Sequence, residues 1–203
     1  MKYQRHSKAE EKTVRDRLLE AGIALFTEKG YASTSVREIV ARAGVTKPVL
    51  YYYFNNKEGL FRAIMEQAAE MQDTLLGRVL ETPGFVLDRL IDLYDRVYQG
   101  VLENQDLFKM IHNLIFGPPQ GAPAYDFEQY RGRMVDTIKA IYTEGLALKE
   151  VNEADAEEVA ILVLSLIDYS FHMDHVHSVT VDPDRTKRLF HLAFQGFARR
   201  EEK

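Results

Sequence analysis

Apolar positions along this chain recur at three- and four-residue spacing, the period of one helix face, and the expected fold is all-α with about nine helices. Thr13 to Lys29 carries Val14, Leu18, Ala21, Leu25 and Phe26 on one face and ends at Gly30, read as a left-handed C-cap. Ser35-Val36-Arg37-Glu38 has the spacing of a capping box and predicts a short helix to about Arg42. Gly44 then suits a tight turn, Thr46 can cap the next helix with its hydroxyl, and Pro48 is tolerated in the first turn, where N–H groups have no intrahelical acceptor. In this pair Ile39, Ala43, Val45, Leu50 and Tyr53 fall at the offsets that seal one helix on the other, leaving Lys47, Val49, Tyr51 and Tyr52 outward.

Downstream the pattern stays helical. Asn56 is the expected cap of a helix from Lys57 to about Leu80, the element expected to transmit motion out of the first domain. Thr82-Pro83 predicts the next start, with Val86, Leu90, Leu93, Tyr94, Val97 and Val101 as a stripe and Asp88, Arg89, Asp92, Asp95 and Arg96 opposite. A shorter helix over 105–116 stops at a loop from Gly117 to Pro123, and a long one from about Ala124 to Lys149 turns Phe127, Tyr130, Met134, Ile138, Ile141 and Tyr142 inward. Residues 153–177 are apolar all the way round, which demands burial on every side. A chain this small has too few layers for that, so one face is expected to meet a second copy. With the final helix that starts at Asp182-Pro183, the expected four-helix dimer interface uses Val163, Leu166, Phe190, Phe194 and Phe197.

The outward groups of the 46–54 helix are a cation, a methyl-bearing surface and phenols, the chemistry of a major-groove reader. A plain helical hairpin would explain the Gly turn but not three consecutive tyrosines beside Lys47 and Lys57. Charge sharpens the picture. The net charge is −5, yet residues 1–60 hold eleven Lys/Arg against seven Asp/Glu, while residues 61–203 hold fifteen against twenty-four. A positive end on an acidic chain is the electrostatic footprint of a DNA reader. The tail 1–10, with Lys2, Arg5 and Lys8, is expected to be flexible.

Thr34 to Phe61 resembles the DNA-binding segment of the tetracycline-repressor (TetR/AcrR) family, through Val-Arg-Glu-Ile, Ala-Gly-Val-Thr-Lys-Pro-Val-Leu-Tyr-Tyr-Tyr-Phe and Asn-Lys-Glu-Gly-Leu-Phe. Val40 departs from the family's usual Ala, and Asn56 from a frequent Ser. The resemblance implies a homodimeric regulator, most often a repressor released from its operator by a small molecule. It also places Arg37 at a position that can contact DNA. The expected organisation is a helix-turn-helix domain over 1–56 and an effector-binding and dimerisation domain over 57–203. The DNA-binding candidates are Ser35, Arg37, Thr46, Lys47, Pro48, Val49, Tyr51, Tyr52 and Lys57, the last as a phosphate contact; the partner is a pseudo-palindromic double-stranded operator.

For the effector, an apolar cavity with a few polar handles is expected among Tyr94, Phe108, His112, Phe116, Tyr130, Met134, Asp168, Phe171 and His172. Enzyme motifs are weak: no Gly-rich phosphate loop, nucleophile elbow or His-Glu-x-x-His occurs, and no cofactor or metal is expected. With no cysteine, thiolate chemistry and disulfides are excluded. The rival readings are a metal-binding or catalytic protein built on Asp168, His172 and His175, which share a helix face, and an architectural DNA binder without ligand. The longest apolar run, Val159 to Leu164, is far too short for a bilayer, and the N-terminus lacks an apolar signal core, so a cytoplasmic location is expected.

Overall fold

The structure, a computed structural model, describes residues 12–177 and 182–195, the side chains of 172–177 excepted. Among the described residues there are nine helices and no strand. They are α1 (Val14–Lys29), α2 (Val36–Ala43), α3 (Lys47–Phe54), α4 (Lys57–Glu81), α5 (Val86–Glu103), α6 (Gln105–Phe116), α7 (Phe127–Ala147), α8 (Ala156–His177) and α9 (Pro183–Gln195).

Two compact units form, and the boundary expected at residue 56 does not describe them. One contains the chain as far as Gln67 together with Asp106–Ala124; the other contains Ala68–Gln105 and the chain from Tyr125 onward. Helix α4 therefore begins in the first unit and ends in the second. Nearly all of α6 belongs to the first, because Leu107, Met110 and Ile111 are buried and both α6 and the loop behind it are hydrogen-bonded to α1 and its exit: Thr27 Oγ1 donates to Asp106 O at 2.9 Å and Ala32 N to Gln120 O at 3.0 Å. The chain passes between the units three times, at 67–68, 105–106 and 124–125.

Local chemistry sets the helix ends. In α1 a capping box joins Thr13 to Asp16, which the sequence reading did not identify. Gly30 has a positive φ of 81° but a ψ of 164°, so that C-cap is extended rather than left-handed. Pro83 does not start α5. Thr82 turns back to hydrogen-bond Arg78 O at the end of α4, and α5 begins at Val86 with its N–H on Glu150 Oε2 at 3.0 Å.

The second unit is a layered helical core of Leu76, Val79, Leu90, Leu93, Tyr94, Ile138, Ile141, Val163, Ile167 and Phe190. The α5 stripe is buried as expected, but Arg89 joins it instead of facing solvent. It lies three residues after Val86, at the stripe's edge, and its two terminal nitrogens donate there to Glu144 Oε2 (2.6 Å) and Leu80 O (3.2 Å). Of the α7 residues expected inward, Ile138, Ile141 and Tyr142 are buried, while Phe127, Tyr130 and Met134 are half-buried.

Helix α8 is not enclosed on every side within one chain. Ile161 and Leu162 are 56% and 46% exposed, with Tyr169 further along the helix also exposed. The residues chosen for a dimer interface sit elsewhere: Val163 and Phe190 are fully buried in the chain's own core, Leu166 and Phe194 pack partly against it, and Phe197 lies outside the described residues. A period-3.6 pattern identifies an apolar helix but cannot say which neighbour covers each side.

Candidate nucleic-acid interface

The first unit holds α2 and α3 at a fixed turn. Ser35 accepts from Glu38 N at 3.3 Å while the Glu38 carboxylate accepts from Ser35 N at 2.9 Å, so Ser35 serves the α2 start. Lys29 and Ser35 together hold the Glu38 carboxyl down to about 2, the lysine hydrogen bond being the larger cause. Gly44 closes α2 in the left-handed conformation, φ 66° and ψ 38°, where a β-carbon would be strained. Ile39, Ala43 and Leu50 are buried as expected, and Val45 is half-buried. Val40, the first departure from the family pattern, is accommodated in the core.

On α3 two expectations change. Thr46 stands at the N-cap position, yet its hydroxyl makes no capping bond. Pro48 has no N–H to offer, and the N–H of Val49 goes to Thr46 O at 3.1 Å, which leaves the hydroxyl with no donor to accept from. Tyr53 is 42% exposed, and Phe54 takes the buried place, because four residues from Leu50 return to the same helix face. The Arg15 guanidinium covers the Phe54 ring at 5.7 Å. Three phenols therefore stand out from α3, with Tyr52 at 83% exposure and packed edge-on to Tyr53 at 5.2 Å.

The cations around this face are unequal. Arg42 is paired with Glu28 at 2.7 Å, Lys29 with Glu38, and Lys12 with Glu20 at 2.6 Å. Arg37 and Lys47 are exposed and have no ion pair among the described residues. Lys57, expected to meet phosphate, points inward: its ammonium donates to Tyr31 O and Thr34 O, both at 2.8 Å, and lies 4.0 Å from the centroid of the Tyr31 ring. Burial there lowers its pKa from the ordinary value. Two of its three donors are thus spent on the α1–α2 loop, which corrects its role from DNA contact to structural clamp. Asn56 caps α4 as expected, accepting from Gly59 N at 2.8 Å.

The effector candidates are divided between the two units. Phe108, His112 and Phe116 lie on α6 in the first unit, with His112 against the Phe116 ring at 5.0 Å and Phe116 itself exposed. Tyr94, Tyr130, Met134, Asp168 and Phe171 belong to the second unit. Asp168 is bound to Arg131 at 3.0 Å. The side chains of His172 and His175 lie outside the described residues, and no cluster of metal-ligand type occurs among those described.

The family model described as bacterial regulatory proteins, tetR family, matches residues 18–64, the segment that builds α1 through the start of α4. The chain is 39% identical to the transcriptional regulator AcrR of Shigella flexneri over 113 residues, 55% of this chain and 52% of that one. The helix-turn-helix segment, residues 18–64, is of the tetR-family type. Other helix-turn-helix relatives span it unequally: the uncharacterised regulator YvkB of Bacillus subtilis is 23% identical across 86% of this chain and 90% of its own length, whereas the repressor ComR of Escherichia coli is 43% identical over only 26% of this chain and 25% of its own. Among solved structures, the TetR-family regulator PfmR of Thermus thermophilus superposes with a TM-score of 0.73 at 23% identity, covering 93% of this chain and all of that one. The regulator FadR of Bacillus subtilis, solved with stearoyl-CoA, gives 0.71 at 17% identity, covering 90% of this chain and 98% of that one. These identities speak for the fold. The relatives named here are transcriptional regulators, and among the described residues of this chain no helix is long and apolar enough to cross a membrane.

Proposed function

We propose that this chain acts in the cytoplasm as a homodimeric repressor that binds a pseudo-palindromic operator and is released when a small, mostly apolar effector enters its second unit. The observation that supports the DNA half most directly is the outward face of α3, where Lys47, Tyr51, Tyr52 and Tyr53 stand exposed, together with an exposed Arg37 on α2 that has no ion pair among the described residues. The phenols offer base edges both hydrogen bonds and apolar contact, Arg37 can fork onto a guanine, and Lys47 meets phosphate.

The dimer reading rests on the exposed apolar side of α8, Ile161, Leu162 and Tyr169, together with Leu192 on α9. Such a surface on two adjacent helices suits a two-fold four-helix contact. The effector reading rests on the apolar core of the second unit and on the family's regulatory role. Selection of bound fragments from genomic DNA tests the proposal. A single enriched motif with inverted symmetry, bound with an affinity that falls steeply with salt, is expected; uniform binding to all fragments would favour an architectural role instead.

A further inference from the structure

Helix α3, eight residues long, is held to its own unit by few side chains. Only Leu50 and Phe54 are buried, and the Thr46 hydroxyl makes no capping bond. The direction of α3 therefore depends on the turns at its two ends. Both are built on positive φ: Gly44 before it, at 66°, and Asn55 after it, at 63°. Glycine adopts that backbone without strain, whereas a residue with a β-carbon does not.

With ψ at −40°, Asn55 forms a γ-turn in which Asn56 N donates to Phe54 O at 2.7 Å, the rare and strained of the two γ-turn forms. Its neighbours impose it. Phe54 is buried, and its carbonyl oxygen lies where a β-carbon on Gly59 would come within 1.9 Å. Asn56 is fixed in turn, its side chain accepting from Gly59 N at 2.8 Å and its carbonyl from Leu60 N at 3.2 Å. These constraints explain the backbone at residue 55 but not the side chain. Asn tolerates positive φ better than most residues, yet glycine would hold the same turn without strain. The Asn55 side chain is exposed and has no hydrogen bond among the described residues, so nothing in the chain offsets that cost.

Position indicates what does. Asn55 N still donates to Tyr51 O at 3.0 Å, so its α-carbon keeps the helical place one turn beyond Tyr51. Lys47, Tyr51 and Asn55, four residues apart, thus follow one another along α3, and all three are exposed. We propose that Asn55 is a further DNA-contact residue, whose carboxamide Nδ2–H donates to a phosphate oxygen flanking the bases that Tyr51 and Tyr52 meet. The strained turn then holds a neutral donor at the far end of the reading helix, where glycine would leave none. The inference rests on the proposed reading of α3 as the DNA-binding helix.

Mobility-shift titrations of the full chain on the fragment most enriched from genomic DNA, and on a scrambled fragment of equal length, test it. Asn55→Gly is expected to weaken both about fivefold to tenfold, the worth of one hydrogen bond, with the salt slope unchanged because no charge is lost. In the same variant, amide exchange across α1 to α3 should slow about fivefold as the strain is relieved. Asn55→Asp keeps the shape and the tolerance for positive φ but replaces the donor with a charged acceptor. Its affinity should fall more than about tenfold, and the loss should persist at salt high enough to screen distant charges. Affinity retained in Asn55→Gly, faster exchange in that variant, relaxed preference at one base pair, or an Asn55→Asp loss that vanishes at high salt would each overturn the phosphate contact. If the unaltered chain prefers no fragment, the reading of α3 falls and this inference with it. A tightly bound fragment that is indifferent to both substitutions removes the inference alone.

Discussion

At the scale of single residues, the α3–α4 corner depends on the absence of one atom. A β-carbon on Gly59 would sit 1.9 Å from Phe54 O, a backbone atom that cannot rotate away. Gly59→Ala is expected to cost about 1–3 kcal/mol by overpacking and to tilt α3, so the thermal midpoint and operator affinity should fall together. Arg37 and Lys57 should separate cleanly. Arg37→Ala is expected to leave the midpoint unchanged and to lose roughly 1–3 kcal/mol of discrimination at one base pair in a binding-site selection. Lys57→Met removes two charge-assisted hydrogen bonds to Tyr31 O and Thr34 O, so about 1–3 kcal/mol of stability should go in denaturant unfolding while base preference is retained. Glu38 provides a pH signature. Its carboxyl is lowered from the ordinary 4.5 to about 2 in the folded chain, so its contribution is complete above pH 4.5 and is lost as pH falls toward 2. Glu38→Gln should flatten the stability profile in that window; an unchanged profile would mean that the Lys29 and Ser35 contacts do not persist in solution.

At the scale of elements, α8 illustrates how one apolar helix divides its sides. Val163, Leu164 and Ile167 are buried against α5, α7 and α9, whereas Ile161 and Leu162 face out. Substitution should therefore give two distinct phenotypes. Leu162→Glu or Ile161→Glu is expected to convert the proposed dimer to folded monomers in sedimentation, with operator binding lost. Phe190→Glu is expected to unfold the second unit, because it places an unpaired carboxylate in the core. If the Leu162→Glu chain still sediments as a dimer, the interface lies on another face.

At the scale of the whole molecule, the proposed two-fold dimer would present two α3 helices to one side of a duplex. Their half-sites must then repeat at about 34 Å, one turn of DNA, or a multiple of it. Inserting half a turn, about five base pairs, between the half-sites of the selected operator should reduce affinity to the level of non-specific DNA, and a further half turn should partly restore it. Equal affinity for all three spacings in a mobility-shift titration would indicate that each chain binds independently.

Capping chemistry and helical periodicity were legible in the residues themselves. Ser35 with Glu38, Gly44 and Asn56 act through neighbours three or four positions away, so their roles follow from spacing alone. The stripe from Val86 to Val101 and the exposure of Tyr51 and Tyr52 follow from the same short-range rules. Other assignments required long-range partners. Lys57 looks like any basic residue at a helix start until the carbonyls of Tyr31 and Thr34, more than twenty positions away, turn its ammonium inward. Arg89 is buried only because Glu144 comes from α7 to meet it. Val163 faces its own core rather than a second copy because α7 and α9 pack on α8, and Phe190 of α9 does so because its ring packs against Tyr94 of α5. Local order is written in steps of three and four residues; which side of a helix is covered, and by what, is decided by contacts between segments that no local spacing contains.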